Sequence, residues 1–250
     1  MTLRPEIPVL RFDSIDSTNE EALRQLAAEA DLPLWIVART QTKGRGRAGR
    51  SWQSPEGNVY ATLLLKTAVS AATATQLSFV AGLAAHDAAA AHLSPNEAAR
   101  LRLKWPNDLM LGRAKLAGNL LESISLARNR GLAVVLGVGM NVAALPDDTG
   151  RDVASLGLAP SSVEAVFASL ARAFDIWLAR WNEGRGFPAI REAWLSRALA
   201  LNETISVNLN NSIIRGRFCG VDDTGALKLT TEAGVVMTVT AGDIYPDALR

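Results

Sequence analysis

A short segment rich in arginine and glycine offers the clearest chemistry in this sequence. Between residues 39 and 50 it combines three glycines and Ala48 with five cationic side chains, namely Arg39, Lys43, Arg45, Arg47 and Arg50. Guanidinium groups present forked donors that match carboxylate and phosphate oxygens, and glycines let the backbone approach a ligand closely. The segment therefore predicts a loop that binds an anion, most naturally a phosphate group.

The glycine spacing permits other interpretations. Gly44, Gly46 and Gly49 satisfy the G-x-G-x-x-G pattern of dinucleotide-binding folds, but that pattern should open a helix, whereas residues 51–57 are rich in turn formers. Arginine and glycine tracts also contact RNA backbones, although this tract is short and lies between two predicted strands. The regular spacing disfavours a merely solvated basic turn. RNA binding is the open alternative from another functional class.

Hydrophobic periodicity and turn signals predict the elements that position this loop. Alternating or apolar runs predict strands at residues 9–12, 34–40, 58–66, 101–104, 115–123 and 132–142. Helical spacing predicts helices at residues 17–30, 73–91, 161–181 and 188–200. A capping box at residues 17–20 opens the first helix, and turn formers at residues 143–160 predict a loop.

The pattern changes near residue 203. Short alternating runs separated by turn signals predict a small β domain, whose length suggests an SH3-like barrel. The chain is thus predicted to be α+β, with a mixed β-sheet flanked by helices over residues 1–201 and the β domain over residues 202–250.

Composition limits the classes of function. Lysine and arginine total 26 against 25 acidic residues, so any basic site must be local. Neither a secretory signal nor a membrane segment is predicted, because the longest apolar stretch, residues 132–140, is too short to span a bilayer. Cys219 is the only cysteine, which excludes an internal disulfide and favours a cytoplasmic location. His86 and His92 have the wrong spacing for one metal site on a helix.

Residues 44–52 closely resemble the signature loop of biotin protein ligases. Four further motifs agree with that family in order and spacing, at residues 16–19, 104–108, 115–118 and 137–141, so the resemblance covers essentially the whole chain. It implies a class II synthetase-like catalytic fold and a two-step reaction. Biotin and ATP form biotinyl-5′-adenylate and pyrophosphate, and biotin then passes to a lysine of a biotin carboxyl carrier protein.

The resemblance assigns the loop to the reacting groups. It implies that Arg45, Gly46 and Arg47 close over biotin and its adenylate, with Arg47 nearest the mixed anhydride. Arg50 would bind phosphates, and Trp52 would face the adenine, although ordinary packing explains Trp52 equally well.

Two lysines and an asparagine complete the implied adenylate site. Lys104 resembles the family's principal catalytic lysine, which meets the carboxylate and the α-phosphate together; the alternative is an exposed strand lysine. Together with Arg47, Lys104 is the predicted catalytic residue. Lys115 resembles a second phosphate-facing lysine, and Asn141 resembles a residue near the adenylate phosphate.

The biotin end of the site is implied by short polar and glycine motifs. Ser17, Thr18 and Asn19 resemble the segment that hydrogen-bonds the biotin ureido ring, and Gln41 is a further polar contact. A capping box would explain Ser17 without a ligand, but it explains neither Thr18 nor Asn19. The glycines at 137 and 139 would let the ureido ring approach a strand closely.

The resemblance also implies a metal ion and binding partners, and it leaves one alternative enzyme class. It implies Mg²⁺ carried by ATP phosphates and water, without naming protein ligands, and it is compatible with a homodimer. DNA binding is not predicted, because the ligase motif at residues 16–19 begins almost at once. Many relatives carry arginine where this chain has Ala48, which predicts weaker retention of the adenylate. A lipoate or octanoate ligase or transferase of related fold is the enzymatic alternative.

Overall fold

The computed structural model describes residues 7–127, 131–147, 150, 152–209 and 212–246. Within these residues the first part of the chain builds one mixed sheet. Its strands are β1 (Val9–Ile15), β2 (Leu34–Gln41), β3 (Val59–Thr67), β4 (Leu101–Lys104), β5 (Asp108–Leu111), β6 (Ala114–Ser125) and β7 (Leu132–Met140). They are arranged in the order β1-β2-β3-β7-β6-β5-β4, in which β1 and β2 are parallel and the other neighbours antiparallel.

Helices cover both faces of this sheet. They are α1 (Thr18–Ala27), α2 (Ala71–Ala74), α3 (Leu77–Ala90), α4 (Pro95–Ala98), α5 (Val163–Trp181) and α6 (Phe187–Leu195). Side chains alternate between the two faces of a strand, so Leu64 on β3 packs in the cluster with Ala22 of α1, whereas Leu63 and Leu65 pack in the larger cluster with α3 and α5. Burial on both faces explains the continuous apolar run of β7.

A second sheet follows, as the change of pattern near residue 203 predicted. Its strands are β8 (Thr204–Leu209), β9 (Ser212–Val221), β10 (Leu227–Thr230), β11 (Val236–Val239) and β12 (Asp243–Pro246). The order β11-β10-β9-β8-β12 is fully antiparallel, and the last strand returns to pair with the first, the arrangement expected of an SH3-like barrel.

The two sheets share one core. Phe218 and Ile205 of the second sheet belong to the same buried cluster as α3 and β7. At the junction the Trp105 indole N–H donates to the Gly225 carbonyl at 3.0 Å. Gly225 has φ +86°, and a Cβ there would lie 2.4 Å from the Phe79 ring, so only glycine fits this contact.

Several predicted boundaries are wrong. The helix predicted at residues 73–91 is divided between α2 and α3, and the amide of Gln76 at the break binds the Asp223 carbonyl and the Trp181 indole. Strand β5 and helix α4 were not predicted, since each has four residues. Ser17 is the N-cap of α1, but its side chain makes no capping hydrogen bond.

The true capping box is at α4, where Ser94 and Glu97 cap one another. Glu20, the expected partner of Ser17, instead lies 3.0 Å from Arg45. No helix within the described ranges has the length and apolar character needed to cross a bilayer.

Candidate active site

One pocket brings together the N-terminus of α1, the arginine and glycine loop, and strands β6 and β7. Its wall contains every residue predicted for biotin or adenylate except Lys104: Ser17, Thr18, Asn19, Gln41, Arg45, Gly46, Arg47, Arg50, Trp52, Lys115, Gly137, Gly139 and Asn141. Motifs dispersed over half of the chain thus converge on one cavity. Asn107, Asp108, Asn119 and Asp243 also line it, although none was named as a site residue from the sequence.

The loop folds back on itself over this pocket. Gly46 N–H donates to the Arg50 carbonyl at 2.7 Å and Trp52 N–H to the Gly44 carbonyl at 2.9 Å, closing a narrow hairpin around a short 3₁₀ turn. A Cβ at Gly44 would lie 2.3 Å from the Trp52 carbonyl oxygen, so the hairpin requires glycine there. Ala48 has φ +55°, in the left-handed region that disfavours a Cβ. The loop therefore carries backbone strain at Ala48.

Carboxylates face the cations of the pocket wall. Arg45 lies 2.8 Å from Glu122 and Arg50 lies 2.8 Å from Asp243. Arg47 is the most loosely paired of these loop arginines, since it lies 3.3 Å from the Asn107 side-chain oxygen and 3.9 Å from Asp243. Burial lowers the pKa of Arg47 from its ordinary value, opposed by the nearby carboxylates, and the group remains cationic at neutral pH. Such a side chain is well placed to receive a ligand anion.

The two candidate lysines are placed differently. Lys115 is largely buried, its ammonium nitrogen lies 2.6 Å from Asp108 Oδ1, and it lies 5.1 Å from the centre of the Trp52 ring. Lys104 is not among the residues that line the pocket, and its ammonium nitrogen lies 5.3 Å from the centre of the Tyr245 ring. The catalytic role of Lys104 stays a prediction, and its charge is near the pocket wall, since it helps to lower the pKa of Asp243. Lys115 lines the pocket directly.

The local geometry explains this difference. Alternation along β4 buries Leu101 and Leu103, and Lys104 ends the strand. The turn that follows, which contains a cis Trp105–Pro106 peptide bond, carries Asn107 and Asp108 to the pocket. The motif at residues 104–108 therefore contributes its last two residues, rather than its lysine, to the wall.

A hydrogen-bonded network forms the polar floor of the pocket. Gln41 Oε1 accepts from the Thr18 N–H at 2.8 Å, and the Thr62 hydroxyl lies 2.8 Å from the Thr18 hydroxyl and 2.7 Å from Asn19 Oδ1. Asn19 Nδ2 donates to Glu122 at 2.8 Å. Sequence reasoning missed Thr62 and Glu122. A hydroxyl inside the apolar run of β3 was the only local signal for Thr62.

The glycines of β6 and β7 make room for side chains of the protein. A Cβ at Gly137 would lie 2.2 Å from Asn19 Oδ1, and a Cβ at Gly139 would lie 2.6 Å from the Trp52 ring. The close approach predicted for these glycines is therefore made by Asn19 and Trp52. The Trp52 indole nitrogen is buried and has no hydrogen-bond partner among the described residues.

Asn141 supports the pocket wall from the end of β7. Its Nδ2 donates to the Ala154 carbonyl at 2.9 Å, and its backbone N–H donates to the Leu116 carbonyl at 3.0 Å. The bond to Ala154, together with the Leu156 N–H that donates to the Asn141 carbonyl at 3.1 Å, holds the segment at residues 152–158 against the sheet. A contact of Asn141 with the adenylate phosphate stays a prediction.

Metal-binding side chains are not grouped here. Among the residues that the structure describes, no three histidine, cysteine, aspartate or glutamate side chains are placed to hold a metal ion. The pocket carboxylates Asp108 and Asp243 are already paired with Lys115 and Arg50.

Comparisons with known proteins agree with this arrangement. The profile of the Biotin/lipoate A/B protein ligase family matches residues 11–141, and the profile of the Biotin protein ligase C terminal domain matches residues 200–245. The biotin–[acetyl-CoA-carboxylase] ligase of Paracoccus denitrificans is 43% identical over 88% of this chain and 92% of its own length. The bifunctional ligase/repressor BirA of Bacillus subtilis is 30% identical over 91% of this chain and 70% of its own length.

A solved structure extends the likeness to three dimensions. The biotin protein ligase from Aquifex aeolicus in complex with biotin and ATP superposes with a TM-score of 0.76 at 26% identity, covering 95% of this chain and 97% of that chain. The first profile defines the class, the biotin and lipoate protein ligases. Within that class, the chain belongs to the biotin protein ligase family.

Proposed function

We propose that this protein joins biotin to ATP, forming biotinyl-5′-adenylate and pyrophosphate, and then transfers biotin to a lysine of a biotin carboxyl carrier protein. In the first step a biotin carboxylate oxygen bonds to the α-phosphorus and pyrophosphate leaves. In the second step the lysine amine bonds to the biotin carbonyl carbon and AMP leaves. One observation carries the proposal: the polar floor at Ser17, Thr18 and Asn19 and the cations Arg47, Arg50 and Lys115 line the same pocket.

The cations would perform the first step by positioning and charge compensation. Two anions, a carboxylate and a triphosphate, must meet against their mutual repulsion, and fixed cationic donors reduce that barrier. We assign Lys115 and Arg47 to the reacting atoms, with Lys115 in the role that the resemblance gave to Lys104. The weak pairing of Arg47 and the burial of Lys115 support this assignment.

The two ends of the ligand would occupy opposite ends of the pocket. Ser17, Thr18, Asn19 and Gln41 offer hydroxyl and amide groups suited to a ureido ring. Trp52 offers a flat aromatic ring beside Lys115, suited to adenine, and Arg50 is available to the phosphates. Arg45 and Gly46 belong to the hairpin that covers both.

Mg²⁺ enters this proposal only with the ATP. The pairing of Asp108 and Asp243 with cations leaves the pocket poorly suited to a protein-held metal, so phosphate oxygens and water would carry the ion. Bound Mg²⁺ would neutralise phosphate charge.

The setting of the reaction follows from the same features. We propose a catalytic unit over residues 1–201 and a β domain over residues 202–250, since α6 ends at Leu195 and β8 begins at Thr204. We propose the cytoplasm as the compartment, because the only cysteine, Cys219, has no partner for a disulfide within the chain.

Adenylate formation provides the test. The protein is incubated with Mg²⁺, ATP and biotin, and biotinyl-5′-adenylate and pyrophosphate are measured, with lipoate and octanoate in parallel reactions. We expect products with biotin and none with the two fatty acids. Products with lipoate or octanoate alone would support the rival ligase. Salt-sensitive RNA binding without any adenylate would support the non-enzymatic alternative.

A further inference from the structure

Glu122 on β6 connects the floor of the pocket to the loop that covers it. The residue is not part of the pocket wall, but its carboxylate accepts from Asn19 Nδ2 at 2.8 Å and from the Arg45 guanidinium at 2.8 and 3.1 Å. Asn19 is 4% exposed, so its amide is enclosed by the protein. Glu122 is therefore hydrogen-bonded to two residues of the pocket wall without lining the pocket itself.

A carboxylate at this position determines which way the Asn19 amide points. An asparagine amide has a donor end and an acceptor end, whereas an ionised carboxylate only accepts hydrogen bonds. The Nδ2 end must therefore face Glu122, and Oδ1 must face Thr62, whose hydroxyl lies 2.7 Å away. A neutral group at position 122 would permit either orientation.

The orientation of Asn19 determines the hydrogen bond that Thr62 makes. Thr62 is fully buried and has one hydroxyl proton, which Asn19 Oδ1 accepts. The Thr62 hydroxyl also lies 2.8 Å from the Thr18 hydroxyl, which itself donates to Gln41 Oε1 at 3.1 Å. Thr18 N–H donates to Gln41 Oε1, which leaves Gln41 Nε2 to donate to Ser54. The charge on Glu122 thus orders Asn19 and Thr62, whereas Thr18 fixes the orientation of Gln41 independently.

The space around Asn19 restricts other adjustments. Oδ1 lies 2.2 Å from where a Cβ of residue 137 would be, so the amide is already against the backbone of β7. It cannot shift in that direction. Rotation that exchanges Oδ1 and Nδ2 is the freedom that remains, and the hydrogen bond to Glu122 opposes it.

We propose that Glu122 is a positioning residue for biotin, because it fixes the donor and acceptor ends of Asn19 in the pocket floor and links that floor to the covering loop through Arg45. The inference rests on the proposed function, since it takes biotin as the ligand of the floor. Glu122 acts through Asn19 and Arg45 and needs no contact with biotin itself.

Direct binding of biotin to the full chain tests the proposal. Glu122→Gln keeps the shape of the side chain and removes its charge. We expect biotin affinity, measured by titration calorimetry, to fall about fivefold or more, the effect of one mispaired buried hydrogen-bonding group, with ATP affinity within twofold of the unchanged protein. Glu20→Gln is the matched control, because Glu20 also pairs with Arg45, whereas the Asn19 amide donates to Glu122 and not to Glu20. Its biotin affinity should stay within twofold.

A double variant that exchanges the amide and carboxylate groups of Asn19 and Glu122 separates a positioning role from an effect on folding. Asn19→Asp places two carboxylates face to face and should weaken biotin binding. Adding Glu122→Gln restores a donor opposite an acceptor, keeps an acceptor toward Thr62, and returns the net charge to that of the unchanged protein. We expect the double variant to bind biotin at least about fivefold more tightly than Asn19→Asp.

The outcomes are distinguishable. Biotin affinity of Glu122→Gln within twofold of the unchanged protein, or a double variant no tighter than Asn19→Asp, would overturn the role of Glu122. Thermal unfolding and ATP binding of each variant show whether it is folded. If Glu122→Gln is not folded, the comparison of the double variant with Asn19→Asp tests the role of Glu122. Absence of biotin binding by the unchanged protein would instead overturn the proposed function.

Discussion

Asp243 accepts two hydrogen bonds from the guanidinium of Arg50, at 2.8 and 3.2 Å, and lines the pocket together with it. Asp243 begins β12 of the second sheet, whereas Arg50 belongs to the arginine and glycine loop. Burial alone would raise the pKa of Asp243, but the hydrogen bond and charge of Arg50, with the charges of Arg47 and Lys104, hold it below its usual value. Asp243 is therefore a fixed anion beside cations that we assign to phosphate.

Removing that anion should free Arg50 for phosphates. We predict that Asp243→Asn binds pyrophosphate about two- to fivefold more tightly than the unchanged protein, the range of a partly exposed ion pair. Asp223→Asn is the control, since Asp223 pairs with Arg191 away from the loop. Calorimetry with pyrophosphate checks both. Weaker binding by Asp243→Asn would mean that Asp243 orients Arg50 for phosphate instead of competing for it.

The two lysines should differ sharply in the rate of adenylate formation. Lys115→Ala removes the buried cation beside Asp108, and we predict a loss of about 10²- to 10³-fold, as for other preorganised transition-state donors. Lys104→Ala should cause a much smaller loss. Single-turnover measurement of biotinyl-5′-adenylate checks both variants. A larger loss in Lys104→Ala would restore the assignment made from the resemblance.

Asn58 should contribute to stability rather than chemistry. Its Oδ1 accepts from the backbone N–H groups of Val142, Ala143 and Ala144 at 2.7, 3.2 and 3.2 Å. Asn58→Ala leaves these donors without that partner and should lower the free energy of unfolding by about 1–3 kcal/mol. Asn58→Asp keeps the acceptor oxygen and should lose less free energy of unfolding than Asn58→Ala. Urea unfolding compares the two, and equal losses would show that the acceptor is not what matters.

Acidification should remove the stability that the ion pair between Asp16 and Arg24 contributes. The Arg24 hydrogen bond lowers the pKa of Asp16 from 3.8 to about 2, so the folded state holds the ionised form more firmly than the unfolded chain. The resulting stability is present above about pH 4 and is lost as the pH falls toward 2. Because the side chains are exposed, the effect should be below about 1 kcal/mol.

Urea unfolding as a function of pH checks this sign. The difference in stability between the unchanged protein and Asp16→Asn should shrink on acidification through that window. A difference that grows as the pH falls would contradict the pairing.

Much of the fold could be predicted because its strands carry local signals. The apolar run of β7 and the alternation of β4 depend on neighbours in the sequence alone. Strand β5 has only four residues between two turns, too few for periodicity to show. The division between α2 and α3 also lacked a local signal, because its buried Gln76 binds partners far along the chain.

The site residues also divide into those with a local sequence signal and those without one. Short motifs identified thirteen residues of the pocket wall, since each motif is contiguous and chemically distinctive. They gave Lys104 the principal catalytic role and Lys115 a phosphate-facing role, whereas which lysine lines the cavity depends on tertiary packing. Glu122 and Asp243 were missed for a related reason: their partners Asn19 and Arg50 are separated from them by 103 and 193 residues, and only tertiary packing joins them.

Transfer to a carrier tests the central claim most directly. The unchanged protein is incubated with ATP, Mg²⁺, biotin and a biotin carboxyl carrier domain, and the carrier is analysed by intact mass and peptide mapping. We predict one added biotin on a single lysine, dependent on ATP and abolished within the assay time by Lys115→Ala. An unmodified carrier in the presence of folded protein, ATP and biotin would contradict the account.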